Sequence, residues 1–139
     1  MNARKKEGQI SVEYMMLIGF VTVITIPLII IYHTFTQESN EEISSSQINQ
    51  IAKSVVDAAE SVYYLGEPSQ TTIKINMPGN IILANLSGNE VVFKVKTKTG
   101  NSDIVQSSSV NITGSLPTNI GSYTITVKAK PNYVEVSYR

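Results

Sequence analysis

The chain has 139 residues, with 11 basic and 11 acidic side chains, one histidine and no cysteine. The lack of cysteine excludes disulfides, thiolate metal sites and cysteine nucleophiles, and one histidine excludes nearly every histidine-based zinc site or catalytic dyad. Zero net charge argues against a general nucleic-acid-binding protein, so the functional signal must lie in how the residues are distributed.

An apolar run follows a short basic cluster near the N-terminus. The basic residues are Arg4, Lys5 and Lys6, and the 24 residues from Tyr14 to Gln37 carry no formal charge. A helix of that length reaches about 36 Å, which is enough to cross the hydrocarbon core of a bilayer, about 30 Å thick. Because the basic cluster precedes the run, the positive-inside rule places residues 1–8 in the cytoplasm and the chain after the run outside the cell.

Three interpretations of this run compete. A secretory signal peptide has a shorter apolar stretch, about 7–15 residues, closed by a small-residue cleavage site, and no Ala-x-Ala pattern closes this run. A plain membrane anchor fits the hydropathy but leaves Glu13 unexplained, because a carboxylate there is costly unless it is paired or lies at the interface. The third interpretation comes from the residues around that carboxylate.

The segment from Gly8 to Leu17 reads G-Q-x-S-x-E-x-x-x-L, with Gln9, Ser11 and Glu13 at its polar positions. This motif resembles the class III signal peptide of archaeal type IV-like pilins. The resemblance implies that a prepilin peptidase cuts between Gly8 and Gln9, so that the apolar segment is kept in the mature chain. It also implies an assembly ATPase, a membrane platform and other copies of the chain or related pilins as partners.

Glu13 itself has two interpretations. After cleavage it would be the fifth residue of the mature chain, one helical turn from the α-amine of Gln9. In a filament its carboxylate can pair with the Gln9 amine of a neighbouring subunit, which selects one axial register because an unpaired charge in an apolar core is costly. Alternatively, Glu13 is an interfacial residue near the positive helix N-terminus of a membrane anchor. If Gln9 cyclises to pyroglutamate, Glu13 would instead accept hydrogen bonds from free helical N–H groups.

Pro27 lies inside the apolar run. A proline within a helix loses one backbone hydrogen bond, which costs about 3 kcal/mol in water but is tolerated in membrane helices. We expect a kink that helps packing. The alternative is a weak point at which the helix bends on transfer from the bilayer to a filament.

Residues 38–66 are predicted to form an amphipathic stem helix that continues the assembly helix of residues 9–37. Gly66 is a predicted C-cap, and Pro68 prevents continuation. The stem is expected to pack on the protein's own β domain, with packing on other stems as the second interpretation. Its predicted apolar stripe, which has spacings of three and four residues, consists of Ile48, Ile51, Val55, Ala58, Ala59, Val62 and Leu65.

Residues 67–139 show the alternation and regular turn signals of an antiparallel sheet, sandwich or small barrel. The predicted fold is therefore α+β, with a long N-terminal helix packed on a C-terminal antiparallel β domain. Lys94, Lys96 and Lys98 alternate with apolar residues and are interpreted as a solvated face that guards an edge strand, rather than as a basic binding patch. The predicted strands cover residues 71–77, 80–86, 90–99, 104–112, 122–129 and 133–138.

Two N-x-S/T triplets, at Asn85 and Asn111, are candidates for N-glycosylation. Such triplets arise often by chance, so solvated asparagines near strand ends are the alternative. Both positions fall on the predicted external side of the membrane, and the resemblance to archaeal pilins implies that glycans are common there.

The sequence lacks the motifs of a catalytic or cofactor-binding protein, including a nucleophile elbow and a phosphate loop. Asp57 and Glu60, three residues apart, are interpreted as a solvated helix face rather than a weak cation site. We therefore expect no enzyme activity, no cofactor, no metal and no nucleic-acid partner.

The expected function is that of a structural pilin subunit of an archaeal type IV-like surface filament. The precursor is expected in the membrane with a cytoplasmic N-terminus, in contact with lipid, and the mature form in an extracellular filament. The alternatives are a membrane-retained accessory protein that binds the surface layer or an archaellum through its β domain, and an unprocessed anchored adhesin.

Overall fold

The computed structural model describes the backbone from Ala3 to Arg139, and the side chains from Ser11 onward except that of Glu38. One helix precedes seven strands in the order α1 (Ala3–Leu65), β1 (Gln70–Met77), β2 (Ile81–Ser87), β3 (Glu90–Thr97), β4 (Gly100–Ser107), β5 (Ile112–Gly114), β6 (Gly121–Ala129) and β7 (Val134–Tyr138). The fold is α+β, as the sequence predicts. The chain divides into two compact units, Met1–Asn40 and Glu41–Arg139.

The second unit contains the last part of α1 and all the strands. Among the described side chains of α1, seven are buried, and each Val or Ile of these contributes roughly 1.5–3 kcal/mol by leaving water. The predicted packing of the stem on the β domain is confirmed. The buried helix residues are Ile48, Ile51, Ala52, Val55, Val56, Ala59 and Val62.

The predicted apolar stripe is correct in its centre and wrong at its end. Ala58 is only partly buried, though it packs against the core, and Leu65 is 73% exposed. Leu65 is the last helical residue, and the chain turns at Gly66 with a φ of 77°. The Gly66 N–H donates to the carbonyls of Val62 and Tyr63, at 3.1 and 3.0 Å, which confirms the predicted C-cap.

The strands form two sheets. The four-stranded sheet has the order β1-β6-β7-β5, and the three-stranded sheet has the order β2-β3-β4. All pairings are antiparallel except that of β5 with β7, which is parallel and departs from the purely antiparallel prediction.

The parallel pairing follows from a break in the predicted strand 104–112. Ser108 is buried, and its hydroxyl accepts a hydrogen bond from the Val110 N–H at 3.2 Å. Such local side-chain bonds compete with a strand ladder, and the chain leaves the three-stranded sheet here. It joins the four-stranded sheet as β5, where Ile112 pairs with Val134.

The inner faces of both sheets follow the predicted period of two. In β1, Ile75 and Met77 are buried and Ile73 is half-buried. The buried residues of β3 are Val91, Phe93 and Val95. The predicted strand 90–99 is too long, since β3 ends at Thr97 and Lys98 lies in the turn before β4.

Two carboxylates of α1 hold loops of the three-stranded sheet. Glu41 Oε1 accepts a hydrogen bond from the backbone N–H of Lys98 at 3.0 Å. Glu60 Oε1 accepts two bonds from Ser109, one from its N–H and one from its hydroxyl, both at 2.8 Å. Glu60 is half-exposed, and the sequence analysis did not predict its contact with Ser109, because only the fold brings the loop that follows β4 beside the helix.

The Glu60 contact predicts a pH-dependent stability. The backbone N–H and then the hydroxyl of Ser109 hold the pKa of Glu60 below its usual value of 4.5. A lowered folded-state pKa adds stability that is present above the unfolded pKa and is lost as the pH falls through the folded pKa. We expect Glu60→Gln to lower the midpoint of thermal unfolding at pH 7, with a gap to the parent chain that shrinks below about pH 4.5.

The measurement is thermal unfolding of the full chain in detergent across that pH range. Asp57→Asn is the matched control, because Asp57 is an exposed acid on the same helix. An equal response of both variants would contradict a specific role for the Glu60–Ser109 contact.

Candidate functional site

The candidate functional site is the apolar surface of α1 between Val12 and Phe35. Its large apolar side chains are 46–75% exposed, and the part of the helix apolar enough to cross a membrane has none of its residues buried. By length and composition alone, this helix could span a bilayer. A run this long would be costly to leave in water, since each Å² of apolar surface costs about 25 cal/mol.

Three threonine hydroxyls in or next to this segment form hydrogen bonds within the helix. The hydroxyls of Thr22, Thr34 and Thr36 donate to the carbonyls four residues earlier, at 2.8, 3.1 and 2.9 Å. These bonds leave the hydroxyl protons paired without any partner outside the helix, which suits an apolar surrounding. Threonine at these positions of an apolar helix is the sequence signal for such bonds.

The motif residues do not form one surface. Glu13 and Leu17 are four residues apart on α1 and therefore share a helix face, whereas Ser11 is two positions from Glu13 and lies on another. Both Ser11 and Glu13 are exposed, and Leu17 is 63% exposed. The side chains of Gly8 and Gln9 lie outside the described part of the chain, so the predicted cleavage site and amine pairing stay predictions.

Pro27 lies within α1, which continues on both sides of it. Proline has no N–H, so the carbonyl of Val23, four residues earlier, loses its usual helical donor. The kink and the weak point both stay predictions.

Both candidate glycosylation sites are accessible. Asn85 is exposed on β2, and Asn111 is exposed between β4 and β5. The Asn111 carbonyl accepts a hydrogen bond from the Val134 N–H at 2.8 Å, and the Asn111 side chain is exposed. Accessibility is a condition for modification, and occupancy stays a prediction.

The predicted edge-strand role of the lysines is wrong, because β3, which carries Lys94 and Lys96, is the central strand of the three-stranded sheet. Lys94 lies 3.9 Å from Asp103, and both side chains are about half exposed. Exposed pairs of this kind contribute about 0–1 kcal/mol.

Among the residues whose side chains are described, no group of three or more acids and histidines could hold a metal ion. Comparison of the chain with protein-family models, curated proteins and solved structures finds no match.

Proposed function

We propose that this chain is a pilin, the structural subunit of an archaeal type IV-like surface filament. The observation that carries the proposal is the apolar surface of α1 from Val12 to Phe35, which is exposed along its whole length. That surface is costly to expose to water, so it needs an apolar surrounding. The same chain also provides a second compact unit, Glu41–Arg139, with its own hydrophobic core, and we call it the β unit.

Two media suit such a helix, and a pilin meets both in turn. Before assembly the apolar segment lies in the bilayer, with residues 1–8 on the cytoplasmic side. In the filament it packs against the same segment of other copies. Lipid and helix surfaces are similarly apolar, so the exchange depends on side-chain packing and on polar contacts such as that of Glu13.

The G-Q-x-S-x-E-x-x-x-L motif at Gly8–Leu17 supports processing by a prepilin peptidase. Cleavage before Gln9 frees an α-amine beside the apolar segment and removes the basic cluster that favours the membrane-inserted orientation. An assembly ATPase and its membrane platform would then extract the subunit from the bilayer.

Replacing Gly8 with valine tests the processing step. We expect nearly all of the Gly8→Val chain to stay at precursor size, because the motif that the chain resembles has glycine at the position before the cut. The measurement is intact mass of the chain from membranes, which also shows whether Gln9 is cyclised. The matched control is Gly19→Val, the same change at an open helix position beyond the motif, where a Cβ meets no atom within 4 Å.

Cleavage of the Gly8→Val variant at the parental rate would contradict the processing hypothesis. Cryo-EM of filaments purified from the cell surface then tests whether this chain is the filament subunit, since the side-chain density along the filament must match this sequence. A processed chain that remains in the membrane and is absent from the filaments would instead identify an accessory protein.

A further inference from the structure

The outer edge of β1 carries unpaired backbone groups. The Ala129 N–H donates to the Ser69 carbonyl at 2.9 Å, in the register that joins β1 to β6. In an antiparallel strand, the backbone N–H and C=O groups of successive residues point alternately toward the neighbouring strand and away from it. The backbone groups of the even-numbered residues of β1 therefore point away from β6. Among the described residues, no hydrogen bond reaches the backbone of Thr72, Lys74 or Asn76.

The outer edge of β4 has the same property. The Ser108 N–H donates to the Asn89 carbonyl at 2.7 Å, in the register of β3 with β4. The odd-numbered residues of β4 therefore turn their backbone groups away from β3. Within the described chain, Asn101, Asp103 and Val105 have no backbone partner on that side, and all three side chains are exposed.

The other two sheet edges, those of β2 and β5, have features that hinder pairing with another strand. The register of β2 shifts between Ile81 and Leu83, which marks a bulge, and β5 has only three residues. Bulges and short strands are devices that prevent edge-to-edge pairing. By contrast, β1 and β4 each keep eight residues in uninterrupted register with their one neighbour.

Open space lies beside β1. A groove of about 270 Å³ lies between part of this edge and α1, and it is lined by the apolar side chains of Ile51 and Ile75 and by five polar side chains. The groove is open along this part of the edge, and α1 lines its other side. The polar lining residues are Gln47, Gln50, Ser54, Lys74 and Asn76.

Each open edge has one charged residue at its centre, and the two charges are opposite. Lys74 lies between Thr72 and Asn76 on β1, and Asp103 lies between Asn101 and Val105 on β4. Antiparallel pairing of two β1 edges about their centres would place Lys74 against Lys74, and two β4 edges would place Asp103 against Asp103. Like charges directly opposite each other destabilise a strand pair, whereas opposite charges stabilise it.

We propose that β1 of one copy pairs antiparallel with β4 of the next copy, with Lys74 opposite Asp103. This inference rests on the proposed filament, for which it identifies a contact between the β units. Pairing of two different edges is heterologous and leaves a free β1 and a free β4 at the ends, so it propagates along an assembly instead of closing a dimer.

Cysteine cross-linking tests the register. The chain has no cysteine, so the double variant Asn76→Cys and Asn101→Cys introduces the only two thiols. Directly opposed residues of a hydrogen-bonded antiparallel pair have Cα atoms about 5.5 Å apart, within the range for a disulfide. We expect oxidised filaments to give a ladder of covalent multimers. Thr72→Cys with Asn101→Cys, the matched control, should give none because those residues are opposed only in a parallel pair.

Charge exchange tests the pairing without a covalent bond. We expect Lys74→Glu and Asp103→Lys each to lower filament yield by about fivefold, and the double variant to recover most of it. Thermal unfolding of each variant separates loss of assembly from loss of folding, since Asp103 also contacts Lys94.

The outcomes separate the two proposals. Parental filaments that contain this chain, without a ladder from the Asn76 and Asn101 variant and with unchanged yield for both charge variants, would overturn the edge pairing and leave the pilin proposal standing. A covalent dimer from the double variant Thr72→Cys and Asn76→Cys would also overturn it, because these residues are opposed when two β1 edges pair about Lys74. Absence of the chain from surface filaments would overturn both.

Discussion

Glu13→Ala is expected to abolish filament formation while leaving cleavage before Gln9 intact. Glu13 is an exposed carboxylate at the start of an apolar helix surface, where a charge must be paired or solvated. In the proposed filament it pairs with the α-amine of Gln9 in a neighbouring copy. Removing one member of a buried pair leaves the other uncompensated, at a cost of about 3–5 kcal/mol per subunit. The measurement is filament yield by sedimentation and negative-stain microscopy, with intact mass as the readout of cleavage.

Two further variants sharpen this test. Glu42→Ala is the matched control, because it is the same change at an exposed position of α1 beyond the apolar surface, and it should assemble normally. Glu13→Gln separates the two forms of the N-terminus. It should fail like Glu13→Ala if Gln9 keeps its charged amine, and it should assemble largely as the parent if Gln9 is cyclised and only hydrogen bonds are needed. Parental yield from Glu13→Ala would exclude the register role while leaving the processing test unaffected.

The features predictable from the sequence are those set by local patterns. The helix end at Gly66 follows from glycine's tolerance of a positive φ, and the inward rows of β1 and β3 follow from a period of two. The apolar surface of α1 follows from an uncharged run of mostly apolar residues, whose large apolar side chains are all exposed. In each case a few neighbouring residues determine the outcome.

Features that depend on distant residues were not predictable. The transfer of the chain from one sheet to the other after Ser108 depends on a buried hydroxyl and on β7, which follows in sequence. Glu60 looks like any surface acid until the fold brings Ser109 to it. The free edges of β1 and β4 require the strand order, which no local pattern encodes.

The candidate site divides in the same way. The motif from Gly8 to Leu17 is visible in the sequence, and nothing in the helix geometry would reveal it, because its residues lie on different faces of α1. Conversely, the structure shows which carbonyls the threonine hydroxyls bond, namely those four residues earlier in the helix. Sequence and structure thus support the pilin proposal through separate observations, one chemical and one geometric.

Gly114→Ala is expected to unfold the β unit or to destabilise it by roughly 3–5 kcal/mol, a large part of a typical domain's stability. Gly114 ends β5 with a φ of 131°, a conformation that residues with a Cβ rarely adopt. An added Cβ would also overlap the carbonyl oxygen of Val136 on β7, the parallel partner of β5. Because both obstacles are backbone features, no side-chain movement relieves them. Thermal unfolding of the full chain in detergent, followed by circular dichroism, measures the effect.

Gly88→Ala is the matched control, because Gly88 also has a positive φ but an added Cβ there would not overlap any atom. Gly88 has a φ of 62°, and a Cβ there meets no atom within 4 Å, so only the backbone preference is lost, at roughly 1–2 kcal/mol. Equal destabilisation by the two substitutions would contradict the close approach of β5 to β7.

The Gly114 variant also separates processing from assembly. The cleavage motif lies in the other compact unit, so we expect the chain to be cut before Gln9 and yet to be missing from filaments, because their β units must fold in order to pack.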